Sequence, residues 1–208
     1  MQSRYAKGPG RGTSLRPVRI LVAGASGVIG VQLLPLLVSS GHEVTGMTRT
    51  PGKAAALAGL GATPLVCDVY DLARLSSAVA ATDPHLVIDQ LTDLPDDPAA
   101  LPDRAAANNR IRRVGTANLL AAASGRRTLA QSVAWSLPGD GAAAVLEREQ
   151  MVLAAGGVVL RYGQFYGPGT YYPDSLPGPP RIQVAQAARR TVASLNAPKG
   201  VIVLADAD

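Results

Sequence analysis

From residue 18 onward the chain alternates between two apolar patterns. A continuous apolar run at 18–23 ends in a glycine turn, and Ile29, Leu33, Leu36 and Leu37 then recur at helical spacing through 28–39. The pattern predicts a strand, a turn and a helix. Gly41-His42 turns the chain into a second short strand at 43–48. Pro51 opens the next helix, because proline suits a first helical turn, where its missing N–H costs nothing. The alternation continues with a strand at 63–67, a helix at 72–81, a strand at 86–89 and a long helix from about 103 to 123. Three more strands, at 128–132, 158–161 and 201–204, enclose helices at 142–155 and 182–195. Near-continuous apolar strands separated by helices are buried on both faces, which predicts an α/β fold with a doubly wound parallel sheet of about seven strands.

Two segments fall outside this alternation: 91–101, rich in Asp and Pro, and 163–180, rich in Gly, Pro and Tyr. In a doubly wound sheet the loops after the carboxyl ends of strands border the ligand crevice. Both are therefore expected to wall a substrate site, against the plainer reading that they are irregular connections.

Composition narrows the ligand. At 208 residues and 47% apolar the chain can bury one good-sized core, but aromatic residues make up only 4%, too few for a base-stacking surface. The formal charge of +5 owes much to Arg4, Lys7, Arg11 and Arg16, which lie in a leading segment without acidic residues. Residues 1–17 therefore read as a flexible basic tail, and 18–208 as one nearly neutral domain without a nucleic-acid footprint. No stretch has the pattern of a secretory signal or the ~18 apolar residues of a membrane span, so a cytoplasmic protein with no membrane partner is expected. Cys67 is the single cysteine, and His42 and His85 stand in no metal-binding spacing, so neither a disulfide nor a metal site is expected.

The chemistry concentrates at Gly24-Ala25-Ser26-Gly27-Val28-Ile29-Gly30, where the first strand passes into the first helix. Glycine suits such a turn because a Cβ would hold a pyrophosphate away from the backbone N–H groups at the helix start, and the third glycine lets helix and sheet approach. A phosphate loop of the ATPase type needs Lys and then Ser or Thr after its last glycine, whereas Val31-Gln32 follow Gly30. The turn thus points to a dinucleotide. After the second strand, where an acidic residue would bind the ribose hydroxyls of NAD, the sequence offers Thr48, Arg49, Thr50 and Lys53. Cationic Arg49 and Lys53 favour the 2′-phosphate of NADP(H) over NAD(H); alternatively they are ordinary surface charges at a helix start.

These residues resemble the extended and atypical short-chain dehydrogenase/reductases, in particular the NAD-dependent epimerase/dehydratase and NmrA-like branches. Besides the glycine turn, the resemblance rests on Cys67-Asp68-Val69, on Gly115-Thr116-Ala117-Asn118-Leu119-Leu120, and on the stretch from Leu160-Arg161-Tyr162-Gly163 to Gly167-Pro168-Gly169. It covers nearly everything from Val18 onward and implies a Rossmann-type sheet. Asp68 and Val69 would border the adenine, with Gln90 and Leu91 after the fourth strand completing the cofactor set. The family's Tyr-x-x-x-Lys pair is missing: a rough ungapped match puts Gly141 and Val145 at those positions. Ser132, at the end of the fifth strand, takes the place of the family's catalytic Ser or Thr. Tyr166, within a loop that also holds Tyr162, Tyr171 and Tyr172, is the second candidate acid. The chain ends soon after the 201–204 strand, which implies a trimmed C-terminal substrate region and argues against a large nucleotide sugar.

Three functions follow from the resemblance. One is an NADPH-dependent oxidoreductase acting on a small carbonyl or enone, its proton coming from Ser132, a loop tyrosine or water. Another is an NmrA-like protein that binds NADP(H) and regulates a partner without turnover. The third is a repurposed scaffold that catalyses dehydration or cyclisation in a biosynthetic pathway. The small apolar residues around Asn118 to Ala122 suit either packing on the sheet or a helix pair between two copies, so a homodimer is weighed as well.

Overall fold

The alternating pattern resolves into nine strands and seven α-helices in the computed structural model, which describes residues 18–207. The basic segment 1–17 lies outside the described residues. The first half of the chain runs β1 (Arg19–Ala23), α1 (Gly30–Ser39), β2 (Glu43–Thr48), α2 (Ala54–Gly59), β3 (Thr63–Val66), α3 (Leu72–Thr82) and β4 (Leu86–Asp89). The second half runs α4 (Leu101–Arg110), α5 (Thr116–Ala123), β5 (Arg127–Val133), α6 (Gly139–Ala154), β6 (Val158–Tyr162), β7 (Gln164–Tyr166), β8 (Arg181–Gln183), α7 (Val184–Ala193) and β9 (Gly200–Leu204).

Seven strands form one parallel sheet in the order β3-β2-β1-β4-β5-β6-β9. Alternate residues of the central strand β1 enter different cores. Ile20 and Val22 pack with Leu33, Leu34 and Leu37 of α1 and with Ala187 and Ala188 of α7, while Leu21 and Ala23 pack with Leu75, Val79 and Leu119 from α3 and α5. A strand covered on both faces needs apolar residues at every position, which is why β1 and β4 read as unbroken runs. At the outer edge, β9 leaves Val201 and Val203 exposed. The chain builds outward from β1 to β3 and then returns to add β4 on β1's other side. This reversal opens a crevice between the carboxyl ends of β1 and β4, the usual ligand position in such sheets.

Three local features depart from the sequence expectation. The helix expected at 103–123 is one helical rod interrupted by a π-helical turn, Ile111–Gly115, between α4 and α5. The loop at 163–180 contains β7, which pairs in parallel with β8 where the helix at 182–195 was expected to begin. Gln183 sets the later start of α7, because its side-chain Oε1 accepts the N–H of Gln186 as a cap. Finally α1 begins at Gly30 rather than 28, with residues 24–29 spent on the turn.

Candidate functional site

A cleft of about 1150 Å³ runs along the carboxyl edge of the sheet, above the ~300–1000 Å³ of a pocket for one drug-sized ligand. The glycine turn forms its floor. Gly24 has φ +77°, and a Cβ there would stand 2.5 Å from the Gln90 carbonyl oxygen on β4's extension. At Gly30 a Cβ would meet the Ala25 carbonyl oxygen at 2.4 Å. Backbone closes around both positions, so the turn can present N–H groups at the start of α1 only with glycine in place. Ser26 Oγ lies 3.0 Å from Thr48 Oγ1, tying the turn to the end of β2. Gly24, Ser26, Gly27 and Val28 line the cleft. Ile29 lies beneath them in the core.

At the β2 end, Arg49, Lys53, Asp68 and Val69 all border the cleft. Arg49 donates to Asp93 Oδ1 at 2.6 Å, and Arg104 donates to the same oxygen at 2.5 Å. Burial pushes the Asp93 carboxyl up, but the two guanidiniums outweigh it and hold the group below the usual carboxylate range. Asn108 accepts the Asp93 N–H, so the loop at 91–101 is pinned over the turn. Arg49 remains half-exposed and keeps donors for an added anion. Asp68 accepts the N–H of Tyr70, and the Val69 carbonyl accepts from Asn118, which anchors this corner to α5.

Beyond β4 the floor is built from side chains. Asp89 is buried and accepts from Leu91 N–H and Thr116 Oγ1, while its Oδ1 lies 2.8 Å from Nη2 of Arg148, itself buried on α6. Arg148 also donates to the carbonyl of Leu91, and Gln131 donates to that same carbonyl. Gln90 donates to the hydroxyl of Tyr162, while its own buried Oε1 finds no partner among the described residues. Gln90 and Leu91 both line the cleft.

Ser132 lies at the end of β5 and donates to Glu149 Oε1 at 2.5 Å. Arg161 grips the same carboxylate with two bonds, Nε at 2.8 Å and Nη2 at 2.5 Å. Burial raises the Glu149 carboxyl, but Arg161 and the Ser132 hydroxyl together bring it below its ordinary value. At neutral pH Glu149 is a carboxylate, a proton acceptor beside Ser132. Gly141 and Val145 on α6 both line the cleft and offer no titratable group there.

The tyrosines divide. Tyr171 and Tyr172 line the cleft, and Tyr171 donates to the Pro95 carbonyl, joining the two loops. Tyr162 is fully buried between Gln90 and Thr191, and burial pushes its hydroxyl up to about 12. Tyr166 lies outside the cleft lining, and its hydroxyl donates to Asp206 at 2.9 Å. The expectation of an acid at Tyr166 finds no support in this placement, because β7–β8 pairing turns that strand toward the chain's C-terminal stretch.

Of the residues singled out by sequence, Gly24, Ser26, Gly27, Val28, Arg49, Lys53, Asp68, Val69, Gln90, Leu91 and Ser132 line the cleft, while Ile29 and Gly30 lie behind the lining. Asp89, Asp93, Asn109, Arg112, Arg148, Glu149 and Arg161 were missed. The one signal for the α6 pair was Arg148-Glu149, adjacent charges where helix α6 must cover the sheet.

With this geometry the fold and its crevice define a Rossmann-type dinucleotide-binding scaffold. The family model for the NAD dependent epimerase/dehydratase family matches residues 20–191, and the chain belongs to that family. A Streptomyces protein named 3-diazoavenalumate denitrifying reductase is 37% identical, over a match covering 74% of this chain and 59% of that protein. The chain thus spans little more than half of that relative's length. The solved UDP-glucose 4-epimerase of Thermus thermophilus, in complex with NAD, superposes with a TM-score of 0.75 at 18% identity, covering 91% of this chain and 78% of its own. A short-chain dehydrogenase from Burkholderia cenocepacia, solved with NADP, gives 0.73 at 20% identity, covering 91% and 89%. Both likenesses are of fold. Among the described residues no helix is long and apolar enough to cross a membrane, and no group of three His, Cys, Asp or Glu could hold a metal.

Proposed function

We propose that this protein is an NADP(H)-dependent reductase of a small carbonyl or enone. The observation that carries the reading is one continuous cleft, with the glycine turn, Arg49 and Lys53 at one end and Ser132 on Glu149 at the other. The turn fits a dinucleotide, since a Cβ at Gly24 or Gly30 would collide with backbone. Gly24, Ser26, Gly27 and Val28 would hold the pyrophosphate. Arg49 and Lys53 would hold a 2′-phosphate, Asp68 and Val69 would border the adenine, and Gln90 and Leu91 the middle of the dinucleotide.

A bound NADPH supplies a hydride to an electrophilic carbon. Ser132 would face the substrate from the cleft wall, with its one O–H donated to Glu149 at rest. Because Glu149 is held as a carboxylate, Ser132 must rotate away from it to donate, or water must supply the proton. The reductase name of the Streptomyces relative favours redox turnover. A non-catalytic NADP(H) sensor is the second reading, supported by the absence of any acid at Gly141 and Val145.

Calorimetric titration with NADPH and NADH, on the wild type and Arg49→Ala, tests the cofactor. NADPH is expected to bind at least about tenfold tighter, some 1.4 kcal/mol, and the margin to collapse in the variant. Arg49 shared equally well by both nucleotides would mean that Asp93 has claimed it. A carbonyl panel monitored by NADPH absorbance then separates enzyme from sensor. Ser132→Ala is expected to lose about 10²-fold in turnover with NADPH affinity unchanged. Tight NADPH binding with no turnover across the panel selects the sensor.

A further inference from the structure

Three arginines line the cleft, and two of them are already paired: Arg49 with Asp93, and Arg148 with Asp89. The third is Arg112. Among the described residues it has no carboxylate within 4.0 Å, and its single hydrogen bond runs from Nη1 to Asn109 Oδ1 at 3.1 Å. Asn109 is fixed in turn, because its Nδ2 donates to Asp140 Oδ2 at 2.8 Å. The remaining N–H groups of the guanidinium have no acceptor among the described residues.

Arg112 sits in the π-helical turn Ile111–Gly115, a wider coil that swings one residue off the helical register, and such turns gather at functional sites. Close packing holds the turn, since a Cβ on Gly115 would meet Ile111 Cγ1 at 2.8 Å. Burial, with the like charge of Arg148 adding to it, pulls the Arg112 guanidinium down to about 10. That leaves it a cation at neutral pH, kept at a cost that an incoming anion would relieve.

The surroundings say what kind of anion. On the proposed reading the phosphates of a dinucleotide would go to the glycine turn and Arg49, whereas Arg112 lines the cleft together with Asn109, Gly141 and Arg148. The chain's single Trp, its single Phe, Tyr171 and Tyr172 line this same cleft, in a protein otherwise poor in rings. We propose that Arg112 anchors the carboxylate of the substrate, whose flat apolar or conjugated body lies against Trp135, Phe165 and Tyr171. This rests on the reading of the cleft as a reductase site and names the substrate class: a small conjugated or aromatic acid.

Cinnamate and its methyl ester, a matched pair differing in charge, are the probes. Each is titrated calorimetrically into the wild type, Arg112→Gln and Arg112→Lys, with and without saturating NADPH, and NADPH itself is titrated into all three. Cinnamate is expected to bind the wild type at least about tenfold tighter than the ester, with the margin lost in Arg112→Gln and partly kept in Arg112→Lys. NADPH affinity is expected to stay within about twofold throughout. Equal binding of acid and ester, no saturable cinnamate binding, or a margin that survives Arg112→Gln overturns the proposal. A parallel loss of NADPH affinity also overturns it, making Arg112 a cofactor contact. Should Arg112→Gln fail to fold, the wild-type acid and ester comparison and Arg112→Lys decide. Failure of the wild type to bind NADPH sinks the cofactor reading alone, because the acid and ester margin is measured without nucleotide as well.

Discussion

The two sides of the crevice are built by different means. On the β1–α1–β2 side the site is backbone: a turn with positive φ, carbonyls pressed against glycine Cα atoms, and N–H groups at a helix start. On the β4–β5–β6 side it is side chain: Arg148 on Asp89, Arg161 on Glu149, Ser132 on Glu149, and Arg112 held by Asn109. A backbone site tolerates few sequences and serves any ligand with a pyrophosphate. A side-chain site can be rewired residue by residue, which is how one scaffold serves many substrates.

The sharpest way to break this comparison is to remove a charge from the second side. Arg148→Met leaves Asp89 buried at 1% exposure with only Leu91 N–H and Thr116 Oγ1 to satisfy it. Loss of one partner of a buried ion pair costs about 3–5 kcal/mol. Urea unfolding should show that loss, and the double variant Arg148→Met with Asp89→Asn should recover much of it. A single variant as stable as the wild type would mean that the pair is not what closes the β4 floor.

The first side answers to a smaller substitution with a different readout. Gly24→Ala puts a Cβ at φ +77° and 2.5 Å from the Gln90 carbonyl oxygen. The left-handed backbone alone costs about 1–3 kcal/mol, and relief of the clash must displace Gln90. Dinucleotide affinity should therefore fall by at least about tenfold while the protein still folds. Undiminished NADPH binding by Gly24→Ala would show that the turn is a packing device and not a phosphate cradle.

The same contrast explains what was legible in the sequence. Gly24, Gly27 and Gly30 are legible because their role is local: spacing within seven residues, at a strand-to-helix junction, encodes a backbone shape. The seven strands of the main sheet are legible for the same reason, as runs of apolar residues. Asp89 and Arg148 lie far apart in the chain and meet only after β4, β5 and α6 pack, so no local spacing announces them. The π turn is equally hidden, since residues 111–115 read as ordinary helix and no local spacing marks the wider coil. Tyr166 parts from its sequence neighbours for a related reason. Its neighbours in sequence line the cleft, but pairing of β7 with β8 sends its hydroxyl to Asp206.

The smallest expected effect concerns the pH dependence that the second side should have. In the wild type the folded Glu149 sits below its unfolded value, about 4.3, because Arg161 and Ser132 outweigh burial. Its contribution to stability is therefore complete above the unfolded pKa and lost as pH falls through the folded one. Arg161→Gln removes the guanidinium and leaves only Ser132 and Arg148 against burial, so the folded pKa rises from its wild-type position. The stabilisation that Glu149 supplies above its unfolded pKa shrinks accordingly. Arg161 is 41% exposed and screened by water on its open side, so the difference is on the order of 1 kcal/mol. Urea midpoints of the two proteins across the acid range should diverge as pH rises, and in a Glu149→Gln background Arg161→Gln should produce no such divergence. Parallel profiles would mean that Glu149 is not held charged by Arg161, and the orientation of Ser132 by a fixed carboxylate would fall with it.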